Sequence, residues 1–206
     1  MRTVRHLWMV VLAVVLVPAV VGTQPNARDT RLLAQPATNG THVAFVYADD
    51  LWVARIDGTD VRRLTTDDGI ETNPAFSPDG KLVAFNAQYD GNVDVYLVSI
   101  DGGVPQRLTW HPGADIVQGF TADGKRVLFA SGRAAFTGAH QQLYTVPIEG
   151  GLEEQLPIPN AAQATYSPDG KRIAYNPLPQ AFQQWKQYRG GRVSQLWLYN
   201  TGDHGI

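Results

Sequence analysis

The sequence predicts an all-β protein: a β-propeller of about four blades with four antiparallel strands in each, the last blade being incomplete. Three observations support this fold class: a turn followed by an apolar run recurs along the chain, two further segments recur in step with it, and the composition suits turn-rich β structure. Apolar residues make up 44% of the 206 residues and charged residues 17%, while 20 glycines and 13 prolines supply chain reversals. A chain of this size can bury a sizeable core.

The recurring turn has the pattern Ser/Thr-x-Asp-Gly-Lys and leads into a run such as Leu-Val-Ala-Phe. Its three full copies occupy residues 77–85, 121–129 and 167–175, and a weaker copy occupies residues 39–45. The aspartates of the full copies are Asp79, Asp123 and Asp169, which lie 44 and 46 residues apart. Proline fixes φ, aspartate bonds its own backbone and glycine accepts positive φ, so the pattern is a turn for chemical reasons. A period of about 40 to 50 residues is typical of one propeller blade.

Two further segments keep the same period. Each copy is followed by a strand centred on an aromatic side chain, namely Trp52, Tyr96, Tyr144 and Trp197, and in three copies by an Ile-Asp/Glu-Gly turn. In the second copy the predicted strands are residues 73–76, 82–86, 93–100 and 106–108. The blades are predicted at residues 32–65, 70–109, 114–157 and 161–206. Nearly continuous apolar runs indicate strands covered on both faces, so the four aromatic side chains are expected to pack between blades.

The first 22 residues are predicted to be a signal peptide, with Arg2 and Arg5 ahead of an uncharged stretch from Leu7 to Val21. That stretch is shorter than the roughly 20 residues of a spanning helix, so stable membrane insertion is not expected after cleavage. Cleavage would leave 15 basic and 19 acidic side chains, a net charge of −4, which does not favour nucleic acid. Without cysteine, disulfides and thiolate sites are excluded. The expected location is the periplasm or the exterior of the cell.

The sequence offers no catalytic constellation. It lacks a Gly-x-Ser-x-Gly nucleophile motif, and its five histidines are scattered without metal-ligand spacing. The repeated aspartates could suggest calcium ligands, but each stands beside a glycine in a different blade, which favours a turn role. Catalytic residues, cofactors and metals are therefore all predicted to be absent from this chain. The insertions at residues 136–142 and 180–191 are the candidate binding loops, with Trp185, Tyr188 and Arg189 as predicted peptide or partner contacts.

The Ser-Pro-Asp-Gly-Lys turns resemble the repeats of TolB-like propellers. Residues 107–115, Arg-Leu-Thr-Trp-His-Pro-Gly-Ala-Asp, together with residues 73–80 and 89–96, resemble more closely the amino-terminal propeller of bacterial tricorn-type serine peptidases. The resemblance spans about residues 32–199. Members of that family carry a six-bladed propeller, a seven-bladed propeller, a PDZ-like domain and a serine-peptidase core that cleaves peptides. It implies that the chain is a truncated first propeller, and none of the family's catalytic residues has a matching position here.

Two function hypotheses follow. In the first, the chain is the non-catalytic propeller portion of a tricorn-like exported serine peptidase, gating or guiding peptides for proteolysis in the full-length parent. The partners implied by the resemblance are peptides and the missing propeller, PDZ-like and peptidase domains, in a parent that could be homo-oligomeric. The alternative is a free-standing TolB-like periplasmic propeller that binds a protein or peptide. A further alternative is that the four units close into a ring, with residues 24–34 supplying the missing strand.

Overall fold

The computed structural model describes residues 33–135, 140–178, 193 and 195–205. The predicted signal peptide, residues 1–22, lies outside these residues. The described part of the chain forms fifteen β-strands in four sheets, and each sheet is one blade. Neighbouring strands pair antiparallel throughout. Three sheets have four strands and the last has three among the described residues, which confirms the predicted fold class.

The strands run in chain order within each blade. The first blade consists of β1 (Leu33–Thr38), β2 (His42–Tyr47), β3 (Asp50–Arg55) and β4 (Arg62–Arg63). The second consists of β5 (Glu71–Phe76), β6 (Leu82–Ala87), β7 (Asp94–Ser99) and β8 (Gln106–Arg107). The third consists of β9 (Asp115–Phe120), β10 (Arg126–Ser131), β11 (Gln142–Pro147) and β12 (Glu154–Gln155). The fourth consists of β13 (Gln163–Tyr166), β14 (Arg172–Asn176) and β15 (Trp197–Asn200). Residues 33 and 34 thus belong to the first strand of the first blade.

The Ser/Thr-x-Asp-Gly-Lys turns have one geometry in three blades. In the second blade the Ser77 hydroxyl donates to Asp79 at 2.6 Å, and the same carboxylate accepts from the Lys81 N–H at 3.1 Å. The Gly80 N–H closes the turn onto the Ser77 carbonyl at 2.8 Å, with a φ of +72° at the glycine. The turns at residues 121–125 and 167–171 repeat these bonds. These hydrogen bonds hold the pKa of each of the three aspartates below its ordinary value, as expected of carboxylates that serve a turn.

The hydrophobic core lies between the blades, in one cluster at each of the three junctions. In β6, Val83 and Phe85 pack against Leu51 of the first blade. Ala84, between them, packs with Val127 of the third blade. A third cluster joins the third and fourth blades in the same way. Successive side chains of a strand point to opposite faces of the sheet, so they pack alternately against the preceding and the following blade.

Two of the four aromatic residues of the third strands are buried. Tyr96 and Tyr144 are 5% exposed and lie in the interblade clusters, as predicted. Trp197 is 40% exposed, and Trp52 is half-buried on the face of the first blade that points away from the second. The prediction that all four pack between blades thus holds for Tyr96 and Tyr144. It does not hold for Trp52, whose outer face is not covered by a described blade.

The first strands of successive blades lie next to one another at the centre of the structure. β1 contacts β5, β5 contacts β9, and β9 contacts β13. The short fourth strands lie at the opposite, outer edge of each sheet. Over the residues described, no helix has the length and apolar character needed to cross a membrane.

Candidate functional site at the axis

The four first strands enclose a hollow of about 350 Å³ at the centre of the structure, here called the axial cavity. Its lining residues are Gln35, Pro36, Asn73, Pro74, Ala75, Ile116, Val117, Gln118, Ala162 and Gln163. None of these carries a charge, and each of the four blades contributes a side-chain amide or a backbone edge. Amides both donate and accept hydrogen bonds, so this lining can bond a polar, uncharged group of either kind.

Irregular backbone brings amide side chains to the cavity wall. The pairing of β1 with β2 and of β5 with β6 shifts register at Gln35 and Asn73, which have φ of +50° and +52°. A third register shift falls in β9 beside Gln118. Such bulges add a residue to one strand and redirect its side chain. Positive φ is uncommon for residues other than glycine and is concentrated at functional sites, which makes the cavity wall notable on conformation alone.

Two of these glutamines join one blade to the next. The Asn73 N–H in the second blade donates to Gln35 Oε1 of the first blade at 2.5 Å. The Ala164 N–H in the fourth blade donates to Gln118 Oε1 of the third blade at 3.0 Å. The inner strand of each blade has no neighbouring strand on its axial side. In both cases a side-chain amide oxygen therefore provides the acceptor that its backbone N–H would otherwise lack.

Asn86 makes the corresponding junction between the second and third blades. It is fully buried in β6, and its Nδ2 donates to the Asp115 carbonyl at 2.5 Å and to the Asp94 carbonyl at 3.2 Å. Its Oδ1 accepts from the Val117 N–H at 3.0 Å and from Asn73 Nδ2 at 3.1 Å. All polar atoms of this buried side chain are therefore bonded, which rigidifies the contact between the two blades.

A buried glutamate stands at the start of the second inner strand. Glu71 accepts from the Leu51 N–H at 2.5 Å and from the hydroxyls of Thr65 and Tyr89. Burial raises the pKa of Glu71, against the opposing effect of these hydrogen bonds. Burial and the contact with Glu71 likewise raise the pKa of Tyr89. The acid links two blades, and no cation lies within ion-pair distance of it among the residues described.

Two further buried acids are paired with arginines. Asp94 Oδ2 lies 2.7 Å from Arg107, and Asp115 Oδ2 lies 2.6 Å from Arg133. Burial raises the pKa of Asp94, while Arg107 opposes that shift. Asp115 occupies the position of Glu71 in its blade but is one methylene shorter, and its Oδ1 is buried without a hydrogen-bond partner in the described part of the chain. These pairs fix the ends of strands at the blade junctions and leave the cavity itself neutral.

The predicted contact residues Trp185, Tyr188 and Arg189 lie outside the described residues, between β14 and β15. The histidines that are described have local partners rather than a common site: His111 Nδ1 accepts from the Gly113 N–H at 2.9 Å, and His140 lies 2.9 Å from Asn160. Searched over the described ranges, the chain has no group of three or more histidine, cysteine or acidic side chains placed to hold a metal. The three turn aspartates each serve their own turn.

The amides at the axis were not identified by sequence reasoning. Gln35, Asn73 and Gln118 are not part of the motif that repeats in every blade, since the third blade has valine where Gln35, Asn73 and Gln163 stand, and Gln118 is the only glutamine at its own place in the repeat. A weak signal exists: Gln-Pro at 35–36 and Asn-Pro at 73–74 occupy the same place in the first two repeats. Proline lacks an N–H and is confined to edges and bulges of sheets, so a shared X-Pro at this place indicates an irregular inner strand.

The repeated four-stranded sheets, the shared axis of their first strands and the interblade cores define a β-propeller domain. A family model described as the Tricorn protease N-terminal beta propeller domain matches residues 30–206. The chain belongs to this tricorn protease N-terminal propeller family.

Relatives and solved structures agree with this assignment. Tricorn protease homolog 1 of Streptomyces coelicolor is 33% identical over 181 residues, which are 88% of this chain and 17% of that protein. The crystal structure of the tricorn protease matches with a TM-score of 0.68 and 26% identity, over 82% of this chain and 17% of that one. TolB from Acinetobacter baumannii matches with a TM-score of 0.63 and 22% identity, over 84% and 42%, a likeness of fold alone. The chain thus spans 17% of the length of these two tricorn proteins.

Proposed function

We propose that this chain is the non-catalytic propeller portion of an exported, tricorn-like serine peptidase, and that its axial cavity guides peptide substrates or products in the longer protein. The observation that supports this role is the neutral, amide-bearing lining of the cavity. Hydrolysis is assigned to a part of the longer protein outside this chain, because the sequence has no nucleophile motif of the usual kind. The proposed location is the periplasm or the exterior of the cell.

The cavity chemistry suits a peptide main chain better than a particular side chain. A volume of about 350 Å³ falls within the range of roughly 300 to 1,000 Å³ that is typical of ligand sites. The main chain of an extended peptide offers one N–H and one C=O per residue, and amides such as those of Gln118 and Gln163 can bond to both. Without charges in the lining, lysine-rich and glutamate-rich peptides should be accepted to a similar degree.

A peptide-binding measurement tests this role. Fluorescence anisotropy of three labelled decapeptides, one neutral, one rich in lysine and one rich in glutamate, should give similar affinities that change little between low and high salt. Ile116→Trp places a bulky ring in the cavity wall and should weaken all three. Val104→Trp, at a loop position that is 93% exposed and outside the cavity lining, is the matched control and should change nothing.

Two outcomes would count against the proposal. A strong preference for one charge type, lost at high salt, would place the binding on the charged exterior. Binding that is equal in the Ile116→Trp variant and in the unmodified chain would exclude the axial cavity. In the longer protein the same variant should slow hydrolysis of long peptides more than that of a small chromogenic ester. Under the proposal only the long peptides bind in the axial cavity.

A further inference from the structure

A groove of about 460 Å³ lies between the turns of the third and fourth blades and is here called the turn groove. It is found where β9 and β13 lead into their Ser/Thr-x-Asp-Gly-Lys turns. Its walls include Ala122, Asp123 and Arg126 of the third blade, and Tyr166, Pro168 and Asp169 of the fourth. The turn groove and the axial cavity share no lining residue, so they are separate sites.

The corresponding place between the second and third blades is filled by apolar side chains of the second blade. Ala75 and Leu82 pack against the core cluster that contains Phe120. The Pro78 ring lies 3.4 Å from the position that a Cβ on Gly124 would occupy. Phe120 is only 7% exposed. This junction is therefore closed at its turn end.

The third blade has a smaller or more polar residue at each of the positions of Ala75, Pro78 and Leu82, namely Gly119, Ala122 and Arg126. A Cβ on Gly119 would meet nothing within 4 Å, and Ala122 lacks the further ring carbons of a proline. Tyr166, which holds the position of Phe120, is half-buried instead of buried. The three replacements therefore leave the turn groove open beside an aromatic ring.

Two hydrogen-bond donors at the turn groove have no partner in the described part of the chain. The Tyr166 ring packs against the third interblade cluster, and its hydroxyl is bonded to none of the residues described. Arg126 donates to Thr145 through Nε and Nη2, and its Nη1 makes no hydrogen bond within the described ranges. Burial raises the pKa of Tyr166, and the Asp123 carboxylate adds to this effect, so the hydroxyl keeps its proton. A ligand in the turn groove should therefore offer hydrogen-bond acceptors.

These acceptors should be neutral. Asp123 and Asp169 line the turn groove, and the hydrogen bonds of their turns hold the pKa of each below its ordinary value, so both carboxylates are charged and disfavour an anion. A peptide in the polyproline II conformation has no internal hydrogen bonds, which leaves its neutral carbonyls available. Proline also lacks an N–H, so its burial leaves no donor unpaired. Aromatic-lined grooves are a recurrent means of binding such segments.

We propose that the turn groove binds an extended, proline-containing segment of a partner protein. A proline ring of that segment packs beside Tyr166, at the junction where the third blade has Ala122 in place of proline. Carbonyls on either side of the ring accept from the Tyr166 hydroxyl and from Arg126 Nη1. The proposal goes beyond the proposed function and does not depend on it, because neither peptidase activity nor the axial cavity takes part.

An NMR titration locates the binding. The decapeptide (Ala-Pro)₅ is titrated into the isotopically labelled chain, where it should shift the backbone amide resonances of Gly124 and Gly170 in the two turns. The amide resonance of Gly80, in the equivalent turn of the second blade, should stay in place. The decapeptide (Ala-Gly)₅ lacks the proline rings and the preorganised conformation. Its affinity, taken from the same resonances, should be about tenfold weaker.

Substitutions at two positions test the proposed contacts. Tyr166→Phe removes only the hydroxyl and introduces the residue type of Phe120, so the variant should fold normally and bind (Ala-Pro)₅ about three- to tenfold more weakly. Ala122→Pro adds ring carbons to the groove wall and should prevent binding. Because this change is expected to stabilise the chain, lost binding could not be attributed to unfolding. Ala122→Ser adds no ring, and this matched control should bind like the unmodified chain.

Three results would overturn the proposal: no shift at Gly124 and Gly170, equal affinity for the two decapeptides, or unchanged binding in either Tyr166→Phe or Ala122→Pro. Shifts confined to Gln118 and Gln163 would place the peptide in the axial cavity and are a case of the first result. The measurements at the two sites are read from different residues. Failure in the axial cavity with success in the turn groove would therefore refute the guiding role alone.

Discussion

The Leu51 N–H donates a hydrogen bond of 2.5 Å to the Glu71 carboxylate, and a buried acid thereby joins the second blade to the first. Thr65 and Tyr89 donate to the same carboxylate from the first and second blades. Three donors from two blades thus converge on one side chain. Removal of the Glu71 carboxylate should therefore destabilise the contact between the two blades.

Glu71→Ala should lower the free energy of unfolding by about 2 to 3 kcal/mol, because the Thr65 and Tyr89 hydroxyls lose their shared acceptor and the Leu51 N–H keeps only Thr65 Oγ1. Glu71→Gln retains the shape and an acceptor oxygen, so it should cost less. Urea unfolding of the unmodified chain and both variants measures these differences. Equal losses for alanine and glutamine would show that ionisation, rather than hydrogen bonding, is what the site requires.

The same residue should give stability a pH dependence of definite sign. Burial raises the pKa of Glu71, so the folded state holds the proton more tightly than the unfolded chain does. This contribution to stability is complete below the ordinary glutamate pKa and falls as the pH rises through the raised value. The Glu71→Gln variant lacks this titration. Its stability relative to the unmodified chain should therefore increase with pH across that window, as unfolding curves at several pH values would reveal; a constant difference would contradict the raised pKa.

The Asp94–Arg107 pair has a natural replacement in the third blade, where Gln142 and Gln155 hold the equivalent positions. Asp94 is 1% exposed, so Arg107→Ala should cost about 3 to 5 kcal/mol by leaving a buried charge unpaired. The double change Asp94→Gln/Arg107→Gln removes both charges and should recover most of this loss.

The more exposed ion pair of the first blade is the control for that comparison. Asp50 and Arg63 are 2.5 Å apart, but the arginine side chain is 39% exposed. Arg63→Ala should cost only about 0 to 1 kcal/mol. A double-mutant cycle on each pair, measured by urea unfolding, gives both coupling energies, and equal values in the two blades would contradict the role assigned to burial.

Ala122→Pro should stabilise the chain by about 0.4 to 1 kcal/mol. Pro78 and Pro168 hold this place in the other two turns of the same geometry, and no backbone hydrogen bond from the Ala122 N–H would be lost. Gly170→Ala is the opposing control, since its φ of +70° and a Cβ only 3.2 Å from Ala122 disfavour any side chain. Thermal unfolding should show a higher midpoint for the first variant and a lower one for the second; a lower midpoint in both would mean that the turns are not equivalent.

These turns were predictable because their chemistry is local. Five consecutive residues contain the donor, the acceptor and the glycine, so the repeat at Asp79, Asp123 and Asp169 could be interpreted without knowledge of neighbouring blades. The strands of the second blade followed from the same repeat to within two residues at each end.

The interblade contacts were not predictable in this way. Glu71, Asp115 and Ala161 occupy the same position in successive blades but are three residue types with three roles. Asn86 bonds to Val117, 31 residues away, and only the packed structure brings the two together. Long-range polar contacts depend on which side chains meet across a junction between blades. A sequence repeat shows which positions are equivalent, but it does not show which residues of different blades are in contact.

Equivalent apolar positions in the second and fourth blades should differ strongly in their tolerance of an added charge. Val95→Glu places an acid where the second and third blades meet and should prevent stable folding. Leu196→Glu/Leu198→Glu changes side chains that are 72% and 50% exposed, so the midpoint of thermal unfolding should move little.

The leucine variant should also reduce self-association. Exposed apolar surface on an open blade face promotes aggregation, and two carboxylates repel a second copy. Light scattering at increasing concentration compares the variant with the unmodified chain, and Val104→Glu is the control for an added charge at another exposed apolar residue. In a longer protein whose next blade covers Leu198, the same change should be strongly destabilising. A variant that is neutral in both the short chain and the longer protein would show that no blade packs on this face.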